Sequence, residues 1–421
     1  MGFLLLDLFF VSTLDGRVLK ATLLIYAISF LLSRVMRKNY MKSRAFSYIW
    51  QEARDRKSKM WYNACIEMKR RLPVTKRITD ALLDWYDAHK RTLPWRGIHD
   101  PYRTWVSETM LQQTRVETVL SYYDRFLEAF PTVEALAAAD IDDVLKMWEG
   151  LGYYRRARNL HKGAQQVVAQ FGGAIPSDPA ELLSISGIGE YTTGAIASIA
   201  FDVPVPAVDG NVIRVVSRLF GVRENAGIPS VKRQITALAS SLVDAQRPGD
   251  HNQAMMDLGA TICVPGTPDC AACPLQAFCA AYAEGDPEEL PVLPRKNPPK
   301  IIDYDVLLIV SQGRVLMRRR TEALLEGMWV FPMLEGHEKA ASIAAAAKRR
   351  IGVKTVYEAP AGEAKHVFTH QVWQMKLHIL RAESAQAPQG WQFVSPEEME
   401  ELAIPTAVAK ARKAAEEVLQ R

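Results

Sequence analysis

The sequence predicts a multidomain protein, an all-α region followed by a smaller α+β domain. Between residues 75 and 285 apolar residues recur at helical spacing, as at Ile141, Val144, Leu145 and Trp148, and similar patterns run through 79–88, 103–120, 134–147, 159–170 and 231–243. Beyond 301 the pattern turns to short β-like runs at 304–310, 314–317, 328–331 and 372–380, with helical stretches at 338–350 and 396–419. Between these regions Pro287, Pro291, Pro294, Pro298 and Pro299 predict an extended linker over 284–300. The expected organisation is therefore an extension over 1–67, a helical domain over 75–283, the linker, and an α+β domain over 301–421. A chain of 421 residues exceeds one ordinary core, which fits two domains with appendages.

With 48% hydrophobic and 24% charged residues, the composition is that of a globular protein rather than a fibrous or disordered one. The net charge of +5 is unevenly spread: residues 1–71 hold 14 Lys/Arg against 5 Asp/Glu, a local +9, so the remaining 350 residues carry −4. Any binding of nucleic acid must then rest on local patches. In the extension, the apolar run 21–32 is flanked by Lys20, Arg34, Arg37 and Lys38. It is shorter than the roughly 20 residues that span a bilayer, and no small-residue cleavage site follows it. A membrane anchor, a targeting peptide and translation from a start upstream of the native one are the three readings. The last is favoured, because Met68 opens a basic segment, Met68-Lys69-Arg70-Arg71, just ahead of the helical pattern; no membrane partner is expected.

Three stretches carry chemistry. From Leu183 to Ile196 the chain reads as a short helix, a Gly187-x-Gly189 hairpin and a second helix starting near Tyr191, with the carboxylate of Asp209 following. Glycines here predict backbone conformations closed to other residues, so that successive N–H groups face an anion at the helix start and grip a phosphate backbone without reading sequence. On its own the pattern serves equally as a tight helix-to-helix turn. Glu108 lies on a predicted helix whose Trp105 and Leu111 face the core, so burial would raise its pKa toward general-acid range. The spacing Cys263-x6-Cys270-x2-Cys273-x5-Cys279 gathers four of the five cysteines within seventeen residues, a metal site rather than a disulfide framework. Four thiolates suit an iron–sulfur cluster or a structural zinc, although zinc ribbons usually pair two Cys-x2-Cys arms and only one is present. Thiolate ligands need a reducing compartment, and a cytoplasmic location is expected.

Taken together, these residues resemble a known family. The hairpin with Asp209 is similar to the helix-hairpin-helix signature of the DNA glycosylase superfamily. The segment from Pro101 to Thr114 resembles the catalytic-glutamate motif of the MutY family, the adenine DNA glycosylases that act on adenine opposite 8-oxoguanine. Leu93-Pro94-Trp95-Arg96 and the blocks 151–158, 208–211 and 252–260 look like others of that family, closely over 76–282 and more loosely over 301–421. The resemblance implies Glu108 as the acid that protonates adenine and Asp209 as the carboxylate that stabilises the sugar cation. It adds Tyr191 and Asn211 as pocket partners, Arg91 near the purine edge and Arg96 among the DNA-binding residues. Gln113 and Tyr153 become wedges in the base stack, with Tyr154 an alternative to Tyr153. Relatives that also cut the strand, such as endonuclease III, carry a Schiff-base lysine where this chain has Tyr191, which implies base removal only.

By the same resemblance, Cys263, Cys270, Cys273 and Cys279 hold one 4Fe–4S cluster. The C-terminal domain is similar to the Nudix-like module that reads 8-oxoguanine on the opposite strand, with Phe368-Thr369-His370 in a hairpin between Val367 and Val372 as its reading site. The family usually has Ser at the middle position, so Thr369 keeps the hydroxyl and adds a methyl. Hydrolase activity is not expected, since 339–352 contains no Glu to hold Mg²⁺. The implied partner is double-stranded DNA with adenine opposite 8-oxoguanine or guanine, bound by a monomer in a bacterial-type nucleoid. A mismatch thymine glycosylase and a catalytically silent iron–sulfur DNA-binding protein are the competing readings. Residues 301–421 speak against the first, Glu108 and Asp209 against the second.

Overall fold

The computed structural model describes residues 74–294 and 297–420; the extension 1–67 lies outside the described residues. The helical part comprises α1 (Val74–His89), α2 (Pro101–Leu111), α3 (Val116–Ala129), α4 (Val133–Ala138), α5 (Ile141–Met147), α6 (Arg155–Phe171), α7 (Pro179–Ser184), α8 (Glu190–Phe201), α9 (Gly210–Phe220), α10 (Pro229–Leu242), α11 (Pro248–Thr261) and α12 (Ala280–Glu284). The second part contains β1 (Lys300–Ser311), β2 (Arg314–Arg319), β3 (Trp329–Val330), β4 (Met333–Glu335), α13 (Ala340–Ile351), β5 (Thr355–Val367), β6 (Gln371–Ala382), β7 (Gln392–Val394), α14 (Pro396–Glu401) and α15 (Ala409–Leu419).

Local chemistry sets many of these boundaries. Asp100 caps α2 by accepting from Arg103 N, with Pro101 in the first turn, and Asp178 and Asp209 cap α7 and α9 in the same way. The continuous helix expected over 103–120 is instead two. α2 stops at Leu111 and the chain turns through Gln113, whose φ of +61° no α-helix tolerates. The helix expected over 134–147 also divides, because the Asp140 side chain accepts from Asp142 N and starts α5 afresh.

Two apolar clusters build the helical part. One surrounds Trp105, Tyr123, Phe126 and Trp148; the other surrounds Leu82, Val216, Ile235 and Met255 and reaches Cys263, Cys273 and Cys279. Met328 and Ala403, from the second part, are buried in the first cluster, so the α+β part is docked through a shared core. Arg158 with Glu326 and Arg412 with Glu149 add ion pairs across this junction.

In the sheet the order is β3-β2-β1-β6-β5, with β4 added on β1 and β7 on β2. β1 runs parallel to β6, Ile301 opposite Val372, and the other pairings are antiparallel. One face buries Val306, Leu308, Trp373 and Met375 beneath Ala411 and Ala415 of α15, and the other buries Leu307, Ile309 and Leu380 against Ile343 and Ala346 of α13. The apolar periodicity gave no run over β5, whose end alone was marked by the hairpin expected between Val367 and Val372. This edge strand alternates half-buried with exposed residues and bulges near Pro360 and Gly362, so its apolar signal is dilute. The segment 284–300 also departs from the expected extended linker. It contains a 3-10 turn at Pro287–Glu289, buries Leu290, whose carbonyl accepts from Arg218 Nε at 2.9 Å, and offers the Val292 carbonyl to Ala226 N at 2.8 Å. No described helix is long and apolar enough to cross a membrane.

Candidate functional site

Four of the expected site residues meet between α2, α8 and α9. Glu108 sits on the inner face of α2 and is only 5% exposed. Its Oε2 accepts a hydrogen bond from the Tyr191 hydroxyl, in the first turn of α8, and that hydroxyl also lies 3.2 Å from the Met256 sulfur. Burial pushes the Glu108 carboxyl above the usual carboxylate range, opposed in part by the Tyr191 hydroxyl and by Arg96. Burial, then the Glu108 charge, raises Tyr191 well above an ordinary phenol. Of the two expected pocket partners, Tyr191 bonds Glu108 and Asn211 bonds Asp209.

Asp209 is anchored differently. Its two oxygens accept from Val212 N at 2.7 Å and from Asn211 Nδ2 at 2.9 Å, and it caps α9, whose N-terminal dipole favours an anion. Burial still raises its pKa, but three backbone and amide hydrogen bonds and Arg214 pull it back. Every direct partner of Asp209 is a donor that stabilises negative charge, whereas Glu108 has one hydroxyl.

Asn211 in turn accepts from Arg214 Nη2 at 2.9 Å, and Arg214 Nε donates to the Cys263 carbonyl at 2.7 Å. This closeness of α11 to α9 requires a glycine, because a Cβ at Gly259 would stand 2.7 Å from the Asn211 Cβ. Arg91 and Arg96 turn inward onto Asp257 Oδ1, with Arg91 Nε at 3.0 Å and Arg96 Nη2 at 2.9 Å. Both line an open cavity of about 450 Å³ with Tyr86, Lys90, His99 and Gln253. Nothing in the sequence distinguished Asp257 or Arg214, since their roles depend on which helices pack together.

Of the two hairpin glycines, only Gly187 needs to be one. Its φ is +86° and a Cβ would meet Asn159 at 2.9 Å, whereas Gly189 is extended (φ −99°, ψ −179°) with open space around it. The expectation that both adopt restricted conformations is corrected at Gly189, which leaves bare backbone at the start of α8.

The remaining expected residues gather at a second place. Gln113, Tyr153, Phe368, Thr369 and His370 line one cleft of about 510 Å³ between the helical and α+β parts. Tyr153, 49% exposed and held at a φ of +49°, places its hydroxyl 3.1 Å from Thr369 Oγ1. Tyr154 is buried, which separates the two adjacent tyrosines. Phe368 packs on Trp373 and its N–H donates to the Gln371 carbonyl, forming the expected hairpin.

Cys263, Cys270, Cys273 and Cys279 line a common pocket with Arg218, whose Nη1 lies 3.3 Å from the Cys263 sulfur. Among the described residues no three His, Cys, Asp or Glu side chains stand close enough together to hold a single metal ion. Four thiols around a shared space, with the buried Arg218 cation beside them, are a donor set that fits a thiolate-bound metal group.

Comparison with known proteins finds relatives of both parts of the chain. The model of the HhH-GPD superfamily of base excision DNA repair proteins matches residues 106–241, and a NUDIX domain model matches 305–414. A solved thermostable thymine-DNA glycosylase is 28% identical, with a TM-score of 0.47, covering 50% of this chain and 97% of that one. The two matched family models define a helix-hairpin-helix DNA glycosylase carrying a Nudix-type domain. The adenine DNA glycosylase of Arabidopsis thaliana is 35% identical over 403 residues, covering 80% of this chain and 64% of that protein. That of Mus musculus is 35% identical over 393 residues, covering 78% and 76%. The chain belongs to the adenine DNA glycosylase family.

Proposed function

We propose that this protein hydrolyses the N-glycosyl bond of adenine opposite 8-oxoguanine or guanine in duplex DNA and leaves the strand uncut. The observation that carries this reading is the pair of neighbouring carboxyl groups, Glu108 buried with a single hydroxyl donor and Asp209 half-buried with a backbone N–H and an amide donor. Adenine within a duplex must be flipped out, at a cost of a few kcal/mol of stacking and pairing. Gln113 and Tyr153, on sharp turns at the cleft, are suited to fill the gap, while the backbone around Gly187 and Gly189 grips phosphate.

Adenine leaves readily only once protonated at N7. Glu108, whose carboxyl pKa burial raises, supplies that proton, and Arg91 is the candidate for the purine edge. Asp209, whose charged form accepts from Asn211 and the Val212 N–H, faces the positive charge that develops on the sugar and directs the water. Tyr191 cannot form an imine, so the abasic product is released intact. Cys263, Cys270, Cys273 and Cys279 would hold a 4Fe–4S cluster, which supplies four strong thiolate bonds that fix the loop. On this reading residues 75–283 carry out the chemistry, and Phe368, Thr369 and His370 within 301–421 read the 8-oxoguanine. The protein acts as a monomer in a reducing, cytoplasmic setting.

The test is a single-turnover assay on a duplex with adenine opposite 8-oxoguanine, each sample read with and without hot alkali. Breaks only after alkali are expected. Breaks without alkali would contradict monofunctional chemistry, and none in either half, from protein with its cluster intact, would refute adenine removal.

A further inference from the structure

Arg156 is absent from the roles considered so far, yet its guanidinium sits between the acid and the cleft. It is 9% exposed and, among the described residues, pairs with no carboxylate. Its charge is met by backbone carbonyls. Nη1 donates to those of Thr109 at 2.9 Å, Met110 at 2.7 Å and Gln112, the carbonyls left open at the end of α2. Nη2 donates to the carbonyls of Leu151 at 3.4 Å and Gly152 at 3.1 Å and to Thr114 Oγ1 at 3.0 Å. Burial draws its pKa down to about 10, which leaves it charged at neutral pH.

Two of these carbonyls occupy special positions. Gln112 and Gly152 immediately precede Gln113 and Tyr153, two non-glycine residues at positive φ, so one planar group fixes the peptide leading into each. The guanidinium also lies 5.4 Å from the Tyr153 ring, whose hydroxyl meets Thr369. On the other side it holds the turn of α2 that directly follows Glu108.

We propose that Arg156 is a positioning residue that couples the base read at the Tyr153–Thr369 cleft to the alignment of Glu108. The proposal rests on the reading of adenine removal above. A displaced Tyr153 ring shifts the guanidinium, and the guanidinium carries that shift to the end of α2, because its two nitrogens share one rigid plane. A lysine keeps the charge but cannot span both sets of carbonyls.

The experiment uses the full chain with its cluster, comparing wild type, Arg156→Lys, Thr369→Ala and the double variant. Single-turnover adenine release is measured opposite 8-oxoguanine and opposite guanine. Arg156→Lys is expected to slow release opposite 8-oxoguanine by about tenfold and opposite guanine by clearly less, and Thr369→Ala is expected to add nothing further in that background. An equal fall of both rates, or independent effects of the two substitutions, overturns the coupling and leaves Arg156 a structural cap. Should Arg156→Lys fail to fold, hydrogen exchange on the Glu108→Gln chain decides. The amides of 109–114 and 151–156 are expected to gain protection together on an 8-oxoguanine duplex more than on a guanine duplex, and protection of one segment without the other refutes the proposal. Wild-type protein that releases adenine from neither duplex would instead refute the functional reading.

Discussion

The two ends of the proposed reaction are built in opposite ways. Glu108 and Asp209 are embedded among helices, each with its hydrogen bonds made before any substrate arrives. Thr369 and His370 stand exposed on a hairpin at the lip of an open cleft, where Thr369 has one weak partner in Tyr153. The difference follows from what each must do. Acid catalysis needs a carboxyl whose pKa is displaced, and burial is what displaces it. Reading a base needs donors and acceptors that water leaves easily, so they must stay open until DNA replaces it. Changes in the first region should act nearly as on–off switches, and changes in the second should be graded.

The largest effect is expected at Glu108. Glu108→Gln keeps the shape and removes the acid, so single-turnover adenine release should fall by at least about a thousandfold, while duplex affinity stays nearly unchanged in a binding titration. Lost affinity would mean that Glu108 is a structural or binding residue. Asp209→Asn should follow, at about a hundredfold, since the amide keeps the cap but loses the charge opposite the developing cation.

The raised Glu108 pKa makes a further contrast testable. The folded state holds this proton more tightly than the unfolded chain does. The associated stability is therefore fully present below the unfolded carboxyl's pKa and is lost as pH rises through the folded one. Glu108→Gln should flatten that part of the pH dependence of Tm, and an unchanged slope would show that Glu108 is not held protonated. The smallest effect is expected at the hairpin. Thr369→Ala should lower the preference for 8-oxoguanine over guanine by about fivefold, equivalent to one hydrogen bond, with the rate opposite guanine little changed. An unaltered preference would remove Thr369 from the reading site.

Much of the site was legible because short-range chemistry was involved. Asp209 stands one residue before a helix and caps it, and Gly187 occupies a turn only glycine fits. Glu108 could be placed on an inward face because Trp105 and Leu111, at i−3 and i+3 on the same helix, mark its core side. The break at Gln113 was not legible, because the apolar spacing continues through it and the turn is held from elsewhere, by Arg156. Tyr191 was expected as a pocket partner, but its bond to Glu108 was not legible, since that depends on how α2 meets α8.

The sequence by itself determined the residue types on which the chemistry turns: two carboxyl groups, a tyrosine in place of a lysine, and four closely spaced cysteines. It also set the helical and strand periods that separate the two parts. Tertiary structure alone decided which donors each carboxyl meets, one hydroxyl at Glu108 and a backbone N–H with an amide at Asp209. It also seated Met328 in the helical core, put Tyr153 against Thr369 across 216 residues of chain, and turned a buried arginine toward two strained peptides. The reason is physical. Burial and hydrogen-bond partners belong to the space around a side chain, and that space is assembled from segments far apart along the chain.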